Sequence, residues 1–359
     1  MALDKTIIPP SEATEIAQAG FDFVNGLLPF AQMFPMKSNE GDWTVTWTPN
    51  LPVVKTRAMQ RRALDAEVPH VKSTEVSAEK HTGLLPLSGM GHITEREVAK
   101  ASKQKSATDY VHDKAEKLFE QMGREAAVTL ELERIQAMMD ATIKIKEGDD
   151  RASELVTYSF GRPTKQQDVV PTVKWSDPKA DVFADLKKWV KLVRTAHGRA
   201  PHAVLTTSAV IDALTANEQM RTAFSKVDLE HSPVRLFRTD VENILREKFQ
   251  LTDIRYIDEL YESLSLDNNF EMNVDTNTLI PDSTFILFPS YNDDSLGFTA
   301  DGPTAEGQDA EFELGKNVNK GLVAYMMHHY APANYDLWVN GTALPVLQDA
   351  VSTFKAKVL

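Results

Sequence analysis

The chain contains no cysteine, which removes disulfides, thiolate metal centres and cysteine nucleophiles at once and fits assembly in a reducing cytoplasm. It has no run of 18 apolar residues, and its first residues, MALDKTIIPPSE, lack the charged and apolar regions of a signal peptide. Neither a membrane span nor signal-directed secretion is expected. Basic residues are outnumbered, 39 against 52 acidic, for a formal charge of −13. A protein built to grip nucleic acid carries a basic face. An acidic whole-chain balance argues against tight DNA binding and leaves room for a surface that DNA slides past.

Catalytic signatures are also missing. No HExxH, GxSxG or GxGxxG occurs, and there is no internal repeat. Gly307 with Gly315–Lys316 is the nearest thing to a phosphate loop. Its spacing is too long, Asn317 replaces the magnesium-holding hydroxyl, and Glu306, Asp309, Glu311 and Glu313 would repel phosphate. His328 and His329 are adjacent, so on a strand they face opposite sides and cannot share a metal. Asp293, Asp294 and Asp301 lack the EF-hand pattern and read as a solvated acidic loop. No catalytic, cofactor-binding or metal-ligating residue is assigned, and no enzyme is expected.

What is present is a globular chain of 359 residues, 42% hydrophobic and 25% charged, enough for two moderate cores or one core with large excursions. Its organising stretch runs from Ser106 to Gly148 and predicts one helix of roughly 40 residues, about 60 Å long. Ser106 and Asp109 have the spacing of a capped start. Lys144 and Lys146 suit the last turn, and Gly148 suits a left-handed cap. Val111, Ala115, Leu118, Met122 and Ala126 recur at helical spacing, continued by Val128, Leu132, Ile135, Met139 and Ile143. Gly123 is the internal weak point. A helix this long reads as a strut.

Ahead of the strut, prolines 9, 10, 29 and 35 interrupt residues 1–40, leaving a short helix at Glu12–Ala19. This segment reads as an arm that must lie on something else, with the first ten residues equally well a disordered tail. Trp43, Val45 and Trp47 alternate with threonines, a strand signal. A cluster of Lys55, Arg57, Arg61 and Arg62 follows, then Asp65 and Glu67. The return limb, Val71 to Leu87, ends among Gly83, Pro86, Gly89 and Gly91. Two limbs around a charged tip make a long hairpin with too little apolar surface for its own core. It reads either as a solvated loop or as an arm reaching a neighbouring subunit.

After the strut come a strand at Leu155–Phe160 and a helix at Ala180–Thr195, apolar through Val182, Phe183, Leu186, Trp189, Val190 and Val193 and closed by His197–Gly198. Ala203–Thr206, Ile254–Tyr256, Phe285–Phe288 and Leu322–Tyr330 read as strands. Helices are expected through Ile211 and Leu214 and at Asp240–Lys248, and a turn at Asn340–Gly341. The mixture is α+β.

Three stretches carry a family resemblance: HGRAPHAVLTTS at His197–Ser208, leading to Leu214 and Asn217; Phe285–Pro289 with Leu296–Thr299 and Gly302–Thr304; and Tyr330–Pro332, Trp338 and Ala343–Leu347. In order and spacing the chain resembles tailed-bacteriophage major capsid proteins of the HK97-type fold, within the phage-lambda-like group. The resemblance implies an N-terminal arm (1–40), an extended loop (41–95), a peripheral domain (96–203) with spine helix 106–147, an axial domain (204–325) and C-terminal strands (326–359) returning to the peripheral domain. It implies hexamers and pentamers forming an icosahedral shell around double-stranded DNA, without sequence-specific binding. A separate scaffolding protein, a portal and a decoration protein are the implied partners. Assembly in the host bacterial cytoplasm is implied, and no cofactor. No Lys–Asn cross-linking pair is placed. Lys55, Arg57, Arg61, Arg62, Asp65 and Glu67 are the expected intersubunit contacts, with basic residues otherwise kept away from DNA. An encapsulin-like compartment on the same fold and a soluble α+β enzyme are the competing readings.

Overall fold

The computed structural model describes residues 2–39, 41–49, 79–101, 107–147, 153–225, 235–268, 272, 279–291, 293, 295–314 and 321–359. In chain order, strand β1 (Ala2–Leu3) leads into α1 (Pro10–Leu27), α2 (Pro29–Met33) and β2 (Met36–Ser38). The prolines that fragment this segment in the sequence instead start helices, Pro10 and Pro29 each standing in a first turn, where a missing N–H costs nothing. β3 (Thr44–Trp47), β4 (Lys80–Gly83) and β5 (Pro86–Ile93) follow, then α3 (Glu95–Ala101) and the long helix α4 (Ala107–Asp140). The strut thus ends at Asp140, not at residue 147. Ala141 takes a left-handed φ of 51°, and β6 (Thr142–Glu147) pairs with β7 (Ser153–Ser159). Lys144 and Lys146 therefore lie on a ribbon instead of capping a helix, with a register shift between Ile145 and Lys146. The second half comprises α5 (Val182–His197), β8 (Ala203–Thr206), α6 (Ser208–Thr215), α7 (Glu218–Ser225), α8 (Arg238–Phe249), β9 (Asp253–Tyr256), α9 (Ile257–Asn268), β10 (Thr284–Phe288), β11 (Phe298–Asp301), β12 (Leu322–Tyr330), β13 (Ala333–Val346) and β14 (Phe354–Lys357).

Two main sheets divide the molecule. In the first, β13 is central: β12 and β5 run antiparallel along its two sides, β1 extends β12, and its last residues pair with β11, which β2 joins in parallel. Asn340–Gly341 is therefore no turn. It lies in the interior of a 14-residue strand, opposite Val323 and Leu322 on one side and Ser88 and Leu87 on the other. The second sheet, β14-β10-β8-β9, has α5, α6 and α8 packed over a core that includes Trp175, Trp189, Phe285 and Phe354. The last strand, β14, pairs with β10 in this second sheet. Helix α5 behaves as its spacing predicts: Val182, Leu186, Trp189 and Val193 are buried, Asp181 accepts from Ala184 N at 3.0 Å, and Gly198 closes it at φ 93°.

The N-terminal segment packs on its own body. Ile8, Ala13, Ala17 and Val24 are fully buried, and α1 lies along α4 and β12. The Thr14 hydroxyl donates to Ala324 O (3.2 Å) and accepts from Ala324 N (3.0 Å), so a side chain occupies backbone groups of β12 beyond the reach of β1. At the closest approach of α1 and α4, a Cβ on Gly123 would sit 2.0 Å from Ala17 O, and one on Gly20 would sit 2.4 Å from Glu120 O. Gly123, a weak point by helix propensity, is what lets the two backbones meet.

At the other end of α4, the buried Arg162 guanidinium donates to Met138 O (2.7 Å), Met139 O (2.9 Å), Thr353 Oγ1 (2.7 Å) and Gln167 Oε1 (2.7 Å). Burial pulls its pKa down to about 10, leaving it cationic at neutral pH and suited to the negative end of a helix.

Gly123→Ala gives a test whose sign is decisive. Propensity alone would stabilise α4 by about 1 kcal/mol, whereas forcing a methyl into the crossing costs about 1–3 kcal/mol. Net destabilisation is expected in urea unfolding of the unassembled subunit, and a stabilised variant would rule out the close crossing.

Candidate functional site

The β3–β4 pair, at the base where the expected hairpin would begin and end, is fastened to the body. β3 and β4 pair in register from Thr44↔Gly83 to Trp47↔Lys80. Val45 and Trp47 are buried as their alternation predicts, and Trp47 packs on Phe160 with ring centroids 6.2 Å apart. Tyr158 Oη donates to Gly83 O (2.9 Å), Lys80 Nζ to Phe160 O (3.3 Å) and Gln348 Nε2 to Thr48 O (3.1 Å). The base therefore belongs to this subunit's own core. Lys55, Arg57, Arg61, Arg62, Asp65 and Glu67, the expected contact residues, lie outside the described residues.

Next to this base, α4 carries a buried ionic joint. Glu131 and Arg134 are both fully buried, 3.4 Å apart. Glu131 Oε1 accepts from Phe30 N (2.9 Å) and Tyr261 Oη (2.8 Å). Arg134 donates to Asn25 Oδ1 (2.8 Å) and Thr299 Oγ1 (3.1 Å), and Thr299 Oγ1 donates on to Phe34 O (2.9 Å). Four segments distant in sequence (α1, the α2 region, α9 and β11) thus meet on one turn of α4. Burial pushes the Glu131 carboxyl up and the Arg134 guanidinium down, each opposed by attraction to the other.

Glu133 stands beside this pair, partly exposed as a residue but with Oε2 covered and without a hydrogen-bond partner. Burial raises its pKa to about 8.

The remaining polar groups do not assemble a reaction centre among the described residues. Asp336 bridges His92 Nδ1 (2.5 Å) and His329 Nε2 (2.8 Å) across three strands, while His328 stacks on Tyr335 at 4.6 Å. Glu12, His112 and Glu116 bring three ligand-capable atoms within 4.8 Å of one another on the surfaces of α1 and α4. His112 lies 3.9 Å from each carboxylate. In the sequence only the His112–Glu116 helical spacing is visible, because Glu12 arrives through tertiary packing. Gly307 is in a short helical turn at Ala305–Gln308, Asp293 accepts from Ser295 N (3.0 Å), and Gly315, Lys316, Asn317 and Asp294 lie outside the described residues. A cavity of about 160 Å³, bounded in part by Gln18, Asp22, Ala126, Leu130, Asp301 and Thr342, has no nucleophile–base pair.

Two measurements check the joint. Arg134→Met strands the Glu131 carboxylate and is expected to cost ~3–5 kcal/mol in urea unfolding. For Glu133, the folded state keeps a proton that the unfolded chain releases near pH 4.5, so this contribution is complete below that pH and is lost as pH rises towards 8. The unassembled subunit is expected to lose about 1–3 kcal/mol from this group between pH 5 and 8.5, after allowance for its partial exposure. Glu133→Gln should remove that loss, and equal slopes in both proteins would refute the assignment.

The family described as phage major capsid protein E matches residues 46–358. No curated protein matches the chain. Among solved structures, a protein described as the capsid protein of a prophage of E. coli CFT073 is similar, with 12% identity, coverage of 98% of this chain and 99% of that one, and a TM-score of 0.55. A phage-related protein of Bordetella bronchiseptica RB50 (11% identity, 99% and 97% covered, TM-score 0.46) and the SrpI encapsulin of Synechococcus elongatus PCC 7942 (9% identity, 92% and 86% covered, TM-score 0.42) are more distant in shape. The long α4, the hairpin beside it and the two sheets are thus the HK97-type capsid fold, and the match over most of the chain excludes an enzyme reading. The chain belongs to the phage major capsid protein E family and is a structural subunit of an icosahedral phage shell.

Proposed function

We propose that the subunit assembles as hexamers and pentamers around double-stranded DNA, and that the hairpin tip is its contact with the neighbouring copy. The observation that carries this reading is the hairpin's anchorage. Trp47 and Lys80 are register partners at the far end of the β3–β4 pair. The segment between them holds Lys55, Arg57, Arg61, Arg62, Asp65 and Glu67 but few large apolar residues. Two-stranded ribbons are marginal alone, so a second copy is the natural surface to cover this one. Each exposed ion pair contributes only ~0–1 kcal/mol, but a closed shell repeats it at every contact. The reading keeps the arm, extended loop, peripheral and axial divisions, with α5 and β14 counted with the axial sheet whose core they share. It also includes the phage-lambda-like grouping, a separate scaffolding protein, a portal, a decoration protein and assembly in the host cytoplasm.

The test is electron microscopy of the expressed full chain, with nuclease-protected nucleic acid measured in particles from native source. Closed isometric particles holding double-stranded DNA are expected. Reversing Arg57, Arg61 and Arg62 to Glu turns three weak attractions into repulsions. It is expected to raise the critical assembly concentration about 100-fold while the subunit's circular dichroism stays unchanged. Normal assembly of this variant would overturn the contact assignment, and DNA-free particles loaded with an enzyme would favour a cellular compartment.

A further inference from the structure

Helix α5 carries a face that the shell reading does not use. From Leu186 to Ala200 the sequence has five basic residues, Lys187, Lys188, Lys191, Arg194 and Arg199, and no acidic one, in a chain whose net charge is −13. The apolar side, Val182, Leu186, Trp189 and Val193, is turned into the core; Lys187, Lys188, Lys191 and Arg194 are exposed on the other side, and Arg199 is exposed just beyond the helix end. Lys187, Lys191 and Arg194 follow one another at helical spacing over about 10 Å of axis, with Lys188 beside them.

Elsewhere several half-buried cations of this subunit have acidic partners: Lys114 with Glu97, Arg124 with Glu120, and Arg238 with Asp212 and Glu259. Among the described residues, the cations of this α5 face form no ion pair. The nearest acid on the helix, Asp185, feels Lys188 but accepts its hydrogen bond from Trp175 Nε1 (3.2 Å).

We infer that the Lys187–Lys188–Lys191–Arg194 face of α5 is a phosphate-backbone contact surface for double-stranded DNA. This rests on the shell reading, in which DNA is the enclosed polymer. It also changes the expectation that basic residues are kept to subunit contacts. The composition of the face selects DNA over a protein partner. Protein interfaces place aromatic and apolar residues at their centre and are depleted in lysine, whereas none of the exposed large hydrophobic residues lies on α5. Regularly spaced lysines without an apolar rim neutralise phosphates and read no base edges, so the contact is independent of sequence.

The test uses the full chain and a 30-base-pair duplex in fluorescence anisotropy across a salt series. Four neutralised phosphates give a slope of log K against log salt near −3.6, about a 100-fold loss of affinity between 50 and 200 mM salt. The variant Lys187→Gln, Lys188→Gln, Lys191→Gln, Arg194→Gln is expected to lose most of the binding and the slope. A charge-matched control, Lys100→Gln, Lys117→Gln, Lys144→Gln, Lys165→Gln, is expected to bind as the parent does. Three results would overturn the inference: no binding by the parent, equal losses in both variants, or unchanged binding by the α5 variant. Microscopy of the same proteins separates this from the shell reading. An α5 variant that forms normal particles but has lost DNA binding supports the inference. One that fails to assemble while still binding DNA makes the face a subunit contact, which overturns it. A parent chain that forms no particles counts against the shell reading alone.

Discussion

A charge pair sealed inside a protein is tolerable only when every one of its hydrogen-bonding positions is met. Removing Glu131 and Arg134 from water costs several kcal/mol per ion, and their mutual attraction offsets this only with good geometry and further partners. Those partners come from the backbone at Phe30, from Asn25, from Tyr261 and from Thr299. A compact state that misplaces α1, α9 or β11 therefore strands a buried charge. The consequence is for specificity more than for net stability, because a well-packed apolar cluster would hold α4 as firmly but would accept many arrangements.

With that joint fixed, α4 acts as a beam. Its N-terminal half is gripped by α1 through the Gly20–Gly123 crossing and by the sheet around β13. Its C-terminal end is held by Arg162 and by the Lys355 ion pair with Asp140. Two ribbons, β3–β4 and β6–β7, leave the body beside this end and are covered there by Trp47, Phe160 and Tyr158. A shell subunit needs both properties: one rigid edge that is the same in every copy, and extensions whose contacts can adjust to local curvature.

Much of this was legible in the sequence, and the failures have physical causes. Alternation placed β3, and the 3.6-residue stripe placed α5, because each buries one face against a single layer. The overlong helix arose because Met139 and Ile143 fit a helical spacing, while Ile143 and Ile145 fit a strand equally well. Ala141's left-handed backbone, which decides between them, has no side-chain signature. β5 was hidden because two of its inward positions are Gly89 and Gly91, against Met122 and Leu118, so it lacked an apolar row. At Asn340–Gly341 the hairpin preference was overridden by pairing on both sides, and a Cβ on Gly341 would stand 3.0 Å from Leu322. The ionic joint was illegible for a different reason. Glu131 and Arg134 look like ordinary surface residues of a helix until residues about a hundred positions away cover them.

Net charge alone gave an incomplete electrostatic picture. An enclosed polyanion makes opposed demands on a container: repulsion everywhere raises the work of filling it, and firm attraction would halt the polymer at the wall. Under the proposed DNA contact, an acidic subunit with a short basic face on α5 meets both, since exposed cations give weak, salt-screened contacts that form and break quickly. The strength of the interaction is then set by the number of copies in the shell rather than by any one contact. The same arithmetic applies to the contacts proposed for the hairpin tip. In both cases the body of the subunit supplies position, through α4 and its joint, and repetition supplies the energy.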